Sequence, residues 1–278
     1  MPPLPSPSRT FRVTTPDQLS IQVQEWGESS GPELLFIHGF AQCGLTWMRQ
    51  TGAPELAEFR RLTYDFRGHG GSDKPLDPAA YKSGRLWADE LKAVIEGSAL
   101  KRPILVGWSY AGRIISDYLT AHGSGALGGI VFVDAATHNQ REFYGTCNRL
   151  MRQMCSPDLG AAITATRSFV RRCFASEQPQ ELIEVQLAYN MLVPVEVRAA
   201  LFDRSADYDA ALTALDKPVL VLQGGKDDVV APAMAHHLAA LIPGAELKLF
   251  EEAGHAPFLE TPEAFNAALA AFARRAAS

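Results

Sequence analysis

The sequence predicts an α/β fold: a mostly parallel sheet with helices on both faces. Short β-rich runs alternate with stretches of helical periodicity through most of the 278 residues, the rhythm of strand–helix–strand units. Several of the β-rich runs are apolar along their whole length, as strands buried on both faces must be. With 47% hydrophobic and 21% charged residues, the chain can bury one large core and is not disordered.

The opening stretch, residues 1–10 (MPPLPSPSRT), is rich in Pro and Ser and lacks the apolar segment of a signal peptide. It is expected to be a loose tail. Phe11–Thr15 and Leu19–Trp26 read as an antiparallel pair around a Pro-Asp-Gln turn. ELLFIH (33–38) is a buried strand, and RRLTYDF (60–66) supplies another that ends at Asp65. Leu86, Leu91, Val94 and Ile95 recur at helical spacing before Gly97, a suitable C-cap. PILVG (103–107) is a strand and Ala111–His122 a helix. GGIVFVD (128–134), KPVLVLQG (217–224) and AELKLFE (245–251) complete the strands, with helices over Pro232–Leu241 and Pro257–Arg275. Between Asp134 and Asp216 the strand pattern lapses into four amphipathic stretches. The expected division is therefore a core of residues 11–136 and 206–278, with a helical cap over 137–205.

Charge and cysteine usage exclude several classes. The net charge is -5, which offers nothing to nucleic acid or to an anionic membrane surface. No apolar run reaches bilayer length. Cys43, Cys147, Cys155 and Cys173 form no C-x-x-C pair, which disfavours zinc or a redox dithiol. They are expected to be free thiols in a reducing cytoplasm, with a disulfide among the last three left open.

The chemistry concentrates in Gly107-Trp108-Ser109-Tyr110-Ala111-Gly112. A strand that turns sharply into a helix strains its turn residue and needs small neighbours. Such a turn lifts the Ser109 hydroxyl out at the carboxyl end of the sheet, beside a helix N-terminus. A serine needs a base, and a base needs an acid that fixes its tautomer. His255 follows the last strand, and Asp227 follows the preceding one after two glycines. All three fall on loops at one sheet edge, where open α/β sheets place their sites. Asp228 and Asp134 are the rival acids. His122, His236, His237 and the His38, Asp65, Arg67, His69 group carry no expected chemistry, with His236 and His237 read as solvated.

Five segments together, FIHGF, DFRGHGGSD, GWSYAG, GGKDDVV and AGHAPFLETPEAF, resemble the α/β-hydrolase superfamily. They are most similar to its branch of carboxylesterases and cofactor-free haloperoxidases or perhydrolases. The resemblance implies the α/β-hydrolase fold and Ser109 as nucleophile, His255 as general base then acid, and Asp227 as orienting carboxylate. It further implies an oxyanion hole from the backbone N–H groups of Phe40 and Tyr110, each such donor being worth roughly 3 kcal/mol of barrier. Ala111 departs from the common glycine. Aspartate-nucleophile relatives, the haloalkane dehalogenases and epoxide hydrolases, are disfavoured by Ser109.

The expected function is hydrolysis of a carboxylic ester through an acyl-enzyme. Perhydrolysis, lactone or carbon–carbon hydrolysis, and a non-catalytic ligand receptor are the alternatives. No cofactor and no metal are expected. The partner is a small molecule, with homo-oligomerisation open. Trp47, Trp108 and Phe143 are expected to line an apolar pocket. No cluster of Arg or Lys is apparent that would clamp a phosphate or coenzyme A.

Overall fold

The structure is a computed structural model that describes residues 6–28, 30–202 and 204–277. β1 (Arg9–Thr14) and β2 (Ser20–Trp26) form an antiparallel hairpin with Val13 opposite Ile21. β3 (Glu33–Ile37) and β4 (Arg60–Tyr64) follow, the latter pairing antiparallel with β2 and parallel with β3. β5 (Ile104–Trp108), β6 (Gly129–Val133), β7 (Val219–Gly224) and β8 (Glu246–Phe250) extend the sheet in parallel. The spatial order is β1-β2-β4-β3-β5-β6-β7-β8. From β4 to β7 nearly every strand residue is buried, which explains the apolar runs of β3, β5, β6 and β7, whereas β4 buries Arg60 and Arg61 as well. β8 closes the edge with alternating exposure.

The chain runs from β3 outward to β4 and then back across β3 to β5. The strand order therefore reverses between β3 and β5, and their carboxyl ends open a crevice there. The loop after β3 (His38–Phe40) and the turn after β5 (Ser109) flank that crevice.

The helices occupy the crossovers. α1 (Met48–Thr51) and α2 (Ala79–Lys82) are single turns. α3 (Gly84–Gly97) buries Trp87, Leu91, Val94 and Ile95 on its inner stripe. Extended backbone at Ser83 separates α2 from α3, and the Ser83 hydroxyl caps α3 by accepting from Arg85 N–H at 3.2 Å. α4 (Ala111–His122) is buried on almost all sides and packs against α3. Between β6 and β7 come α5 (Asn148–Gln153), α6 (Leu159–Arg172), α7 (Gln180–Met191) and α8 (Val195–Phe202). The buried Arg198 guanidinium ties them together, donating to the carbonyls of Met154 (3.0 Å) and Asn190 (2.6 Å). α9 (Asp209–Thr213), α10 (Pro232–Leu241), α11 (Pro257–Glu260) and α12 (Pro262–Ala277) complete the chain. Among the described residues no helix is long and apolar enough to cross a membrane.

Two boundaries differ from expectation. The tail expected over residues 1–10 does not include Arg9 and Thr10, which pair with Glu25 and Gln24 in β1. Their side chains are exposed, so an edge strand there leaves no apolar signature. Residues 1–5 lie outside the described residues. The single helix expected over Pro257–Arg275 is two, because Pro262 lacks an N–H and bars Thr261 from helical geometry (φ -132, ψ 55).

Candidate active site

Ser109 is the residue where β5 becomes α4. Its φ is +56, a left-handed conformation unusual outside glycine. Backbone bonds hold it there: its N–H donates to Val133 C=O at 2.9 Å, and its own carbonyl accepts from Gly112 N–H (3.0 Å) and Ala136 N–H (2.9 Å). The turn is crowded enough to require its small residues. A Cβ on Gly107 would lie 2.5 Å from Ile115 Cδ1, and one on Gly112 3.0 Å from Ala135 Cβ. Ala111 is fully buried in this packing.

His255 Nε2 lies 2.9 Å from Ser109 Oγ, and its Nδ1 lies 2.7 Å from Asp227 Oδ2. Asp227 is fixed by two backbone N–H groups, Val229 (2.7 Å) and Val230 (3.1 Å), donating to Oδ1, and by Gln223 Nε2 donating to Oδ2 at 3.1 Å. These donors set the carboxylate against Nδ1 of His255, the arrangement that favours a proton on Nδ1. Nε2 is then left to accept from the serine hydroxyl. The loops can meet because Gly224 has no side chain: a Cβ there would sit 1.8 Å from the Gly254 carbonyl oxygen. A further tie runs from Trp108 Nε1–H to the His255 carbonyl at 2.7 Å.

The loop after β3 lies against the serine. A Cβ on Gly39 would come within 3.2 Å of Ser109 Cβ. Among the described residues neither the Phe40 nor the Tyr110 N–H donates to another backbone group. Two buried histidines brace this loop. His38 bonds the Gly39 carbonyl through Nδ1 (2.9 Å) and accepts from Phe66 N–H through Nε2 (3.2 Å). His69 bonds the Arg67 carbonyl through Nδ1 and accepts from Ala41 N–H through Nε2. Burial depresses His38 to about 4 and pushes His69 well below the usual imidazole range. Both are therefore neutral scaffolding.

The rival acids are elsewhere occupied. Asp228 accepts from Thr146 N–H at 2.9 Å and pairs with Arg172. Asp134 sits beneath the site, its Oδ1 accepting from Gly224 N–H at 2.8 Å. Burial first, and then the neighbouring Asp227, push the Asp134 carboxyl well above the usual range. Asp134, Asp227 and His255 present ligand-type atoms within 4.8 Å of one another. Most of those atoms are committed to the bonds above, and Asp134 Oδ2 is the one without a partner. The cysteines are free. Burial raises all three buried thiols, Cys147 to about 11.

A cavity of about 390 Å³ opens over Ser109. Its walls correct the expected pocket: none of Trp47, Trp108 and Phe143 lines it. Trp47 is buried against Phe36 and Phe258, Trp108 is held under the histidine loop, and Phe143 packs on His237 with ring centres 5.0 Å apart. The apolar wall comes instead from Phe40, Met151, Leu201, Phe202 and Val230. Three arginines that sequence spacing did not bring together, Arg113, Arg141 and Arg152, stand on the same cavity. Sequence spacing alone does not show that α4 and the segments after β6 converge there. His237 is not free in solvent but lies 3.0 Å from Asp209.

Residues 34–268 match the alpha/beta hydrolase family. Among curated proteins the chain is 26% identical to the non-heme chloroperoxidase CPO-A1 of Kitasatospora aureofaciens, over 87% of this chain and 90% of that protein. Among solved structures it resembles the esterase RhEst1 from Rhodococcus sp. ECU1013, at 34% identity and a TM-score of 0.87, covering 95% of this chain and 98% of that one. It also resembles a Burkholderia cenocepacia protein provisionally described as an aryl esterase, at 36% identity and a TM-score of 0.91, covering 96% and 99%.

Proposed function

Because the chain belongs to the alpha/beta hydrolase family, we propose that it hydrolyses a carboxylic ester of a small molecule through a serine acyl-enzyme. The observation that carries this reading is the unbroken hydrogen-bond chain Asp227–His255–Ser109, at 2.7 and 2.9 Å. Ser109 Oγ attacks the ester carbonyl carbon while its proton passes to His255 Nε2. The negative charge on the carbonyl oxygen is met by the N–H groups of Phe40 and Tyr110. The C–O bond to the alcohol breaks, and the leaving oxygen takes the proton from His255. Water then attacks the acyl carbon, losing a proton to His255, and the acid departs as Ser109 recovers its hydrogen. Asp227 holds the imidazole tautomer and offsets its charge whenever it is protonated. The helices between β6 and β7 form a cap over residues 137–205 in this reading, and supply part of the substrate cavity.

A fluorophosphonate probe tests the proposal. Labelling of the wild type and none of Ser109→Ala is expected. Equal labelling of both, or none of either, overturns it. The similarity to a chloroperoxidase supports a second reading in which hydrogen peroxide replaces water and the acyl group leaves as a peracid. Peracid formation that outpaces hydrolysis when peroxide is added would favour that outcome.

A further inference from the structure

We infer that the cavity over Ser109 selects an ester that keeps a free carboxylate, a monoester of a dicarboxylic acid, and that Arg113 is the residue that recognises it. The inference rests on the ester-hydrolase reading for the reaction, but its charge argument is independent of that chemistry.

Arg113 lies one helical turn beyond Ser109 on α4 and shares the cavity wall with it. It is only 8% exposed. A cation so buried ordinarily has an acidic partner. This one has none among the described residues: its guanidinium donates to the Arg204 carbonyl (2.9 Å), Asn139 Oδ1 (2.6 Å) and Tyr144 Oη (2.9 Å). All three acceptors are neutral, and Arg113 Nε is buried with no partner. The neighbouring Arg204 is different, since it pairs with Asp117.

Arg113 therefore has no carboxylate within ion-pair distance, Asp117 acting on it only at longer range and being already paired with Arg204, and two further cations stand on the same cavity. Arg141 and Arg152 are exposed, and no described ion pair neutralises either. No Asp or Glu lines the cavity, although the whole chain carries a net charge of -5. Three arginines without a carboxylate, around a cavity with apolar walls, match a short hydrocarbon chain with a negative group at one end. One Nη1 N–H of Arg113 is uncommitted, and a carboxylate, which gains more from a guanidinium than a neutral acceptor does, can take it or displace one of the neutral acceptors. The cavity's size suits a small organic molecule, and its one deeply placed cation suits one carboxylate rather than a polyanion.

The test compares two substrates of equal length: a p-nitrophenyl ester whose acyl chain ends in a carboxylate, and one whose chain ends in the neutral carboxamide. The wild type should prefer the carboxylate by about tenfold or more in kcat/KM, the range of a charge-assisted hydrogen bond. Arg113→Gln should collapse the ratio of the two values towards unity, and taking the ratio removes any general loss of activity. Should Arg113→Gln not fold, the exposed double variant Arg141→Gln/Arg152→Gln should lower the same ratio by about threefold, through weaker screened attraction. A wild-type ratio near unity, or one unchanged in the variants, overturns the inference.

Calorimetry on Ser109→Ala separates this from failure of the hydrolase reading. Monomethyl glutarate should bind at least tenfold tighter than dimethyl glutarate even where no ester is turned over. Equal binding of the two, or tighter binding of inorganic phosphate than of the monoester, overturns the carboxylate assignment.

Discussion

Single residues do two kinds of work around Ser109: in the proposed mechanism some form the reactive chain, and others hold its frame. His38 belongs to the frame, and its burial has a measurable consequence. Its folded-state value of about 4 lies below the 6.5 of a free imidazole. Above pH 6.5 the group is neutral in both states and contributes no pH dependence. As the pH falls from 6.5 to 4 only the unfolded chain takes up the proton, so stability falls. Below pH 4 both states carry the proton and the slope vanishes. The loss across this window should be about 3 kcal/mol from His38, and His69 adds to it. Thermal melts between pH 7 and pH 4 should show this slope, and His38→Gln should flatten it. An unchanged slope would place its source elsewhere. At this scale Ser109, Asp227 and His255 were legible because each follows a strand at a motif of small residues. Arg113 was not, because an arginine in the first turn of a helix has many ordinary reasons to be there. Only the fold reveals that it lacks an acid.

At the scale of elements, the central strands β3, β5, β6 and β7 were legible from their apolar runs, and α3 and α4 from their periodicity. The errors fell where backbone pairing or a proline decided the outcome, as at Arg9 and Pro262. Placement of the segments after β6 was illegible, since an apolar stripe records that a helix is buried but not against what. The contact between the turns after β7 and β8 is the most demanding element-level feature. Gly224→Ala would press its Cβ into the Gly254 carbonyl and part the loops that hold Asp227 and His255. The expected result is a folded protein with kcat reduced by about 10²-fold, the cost of a small misplacement of reacting groups. Circular dichroism and steady-state kinetics would check this. Unimpaired turnover would show that the turns can separate without moving the imidazole.

Over the whole molecule, the groups of the proposed mechanism come from one part of the chain and much of the cavity wall from another. Ser109, Asp227 and His255 stand on turns at the carboxyl edge of the sheet, whereas Asn148, Met151, Arg152, Leu201 and Phe202 come from the helices between β6 and β7. Asp228 links the two parts through Thr146 and Arg172. Because that link is partly exposed, Asp228→Ala should cost no more than about 1 kcal/mol. It should raise KM more than it lowers kcat, and speed proteolysis within α5 and α6. A fall confined to kcat would contradict that division of labour. The bond from Trp108 to the His255 carbonyl has a different kind of consequence. It places an indole fluorophore against the loop that carries the base, with ring centres 5.3 Å apart. Departure of that loop would bring the Trp108 indole to water and move its emission to the red, a change to be read against the chain's three other tryptophans, Trp26, Trp47 and Trp87.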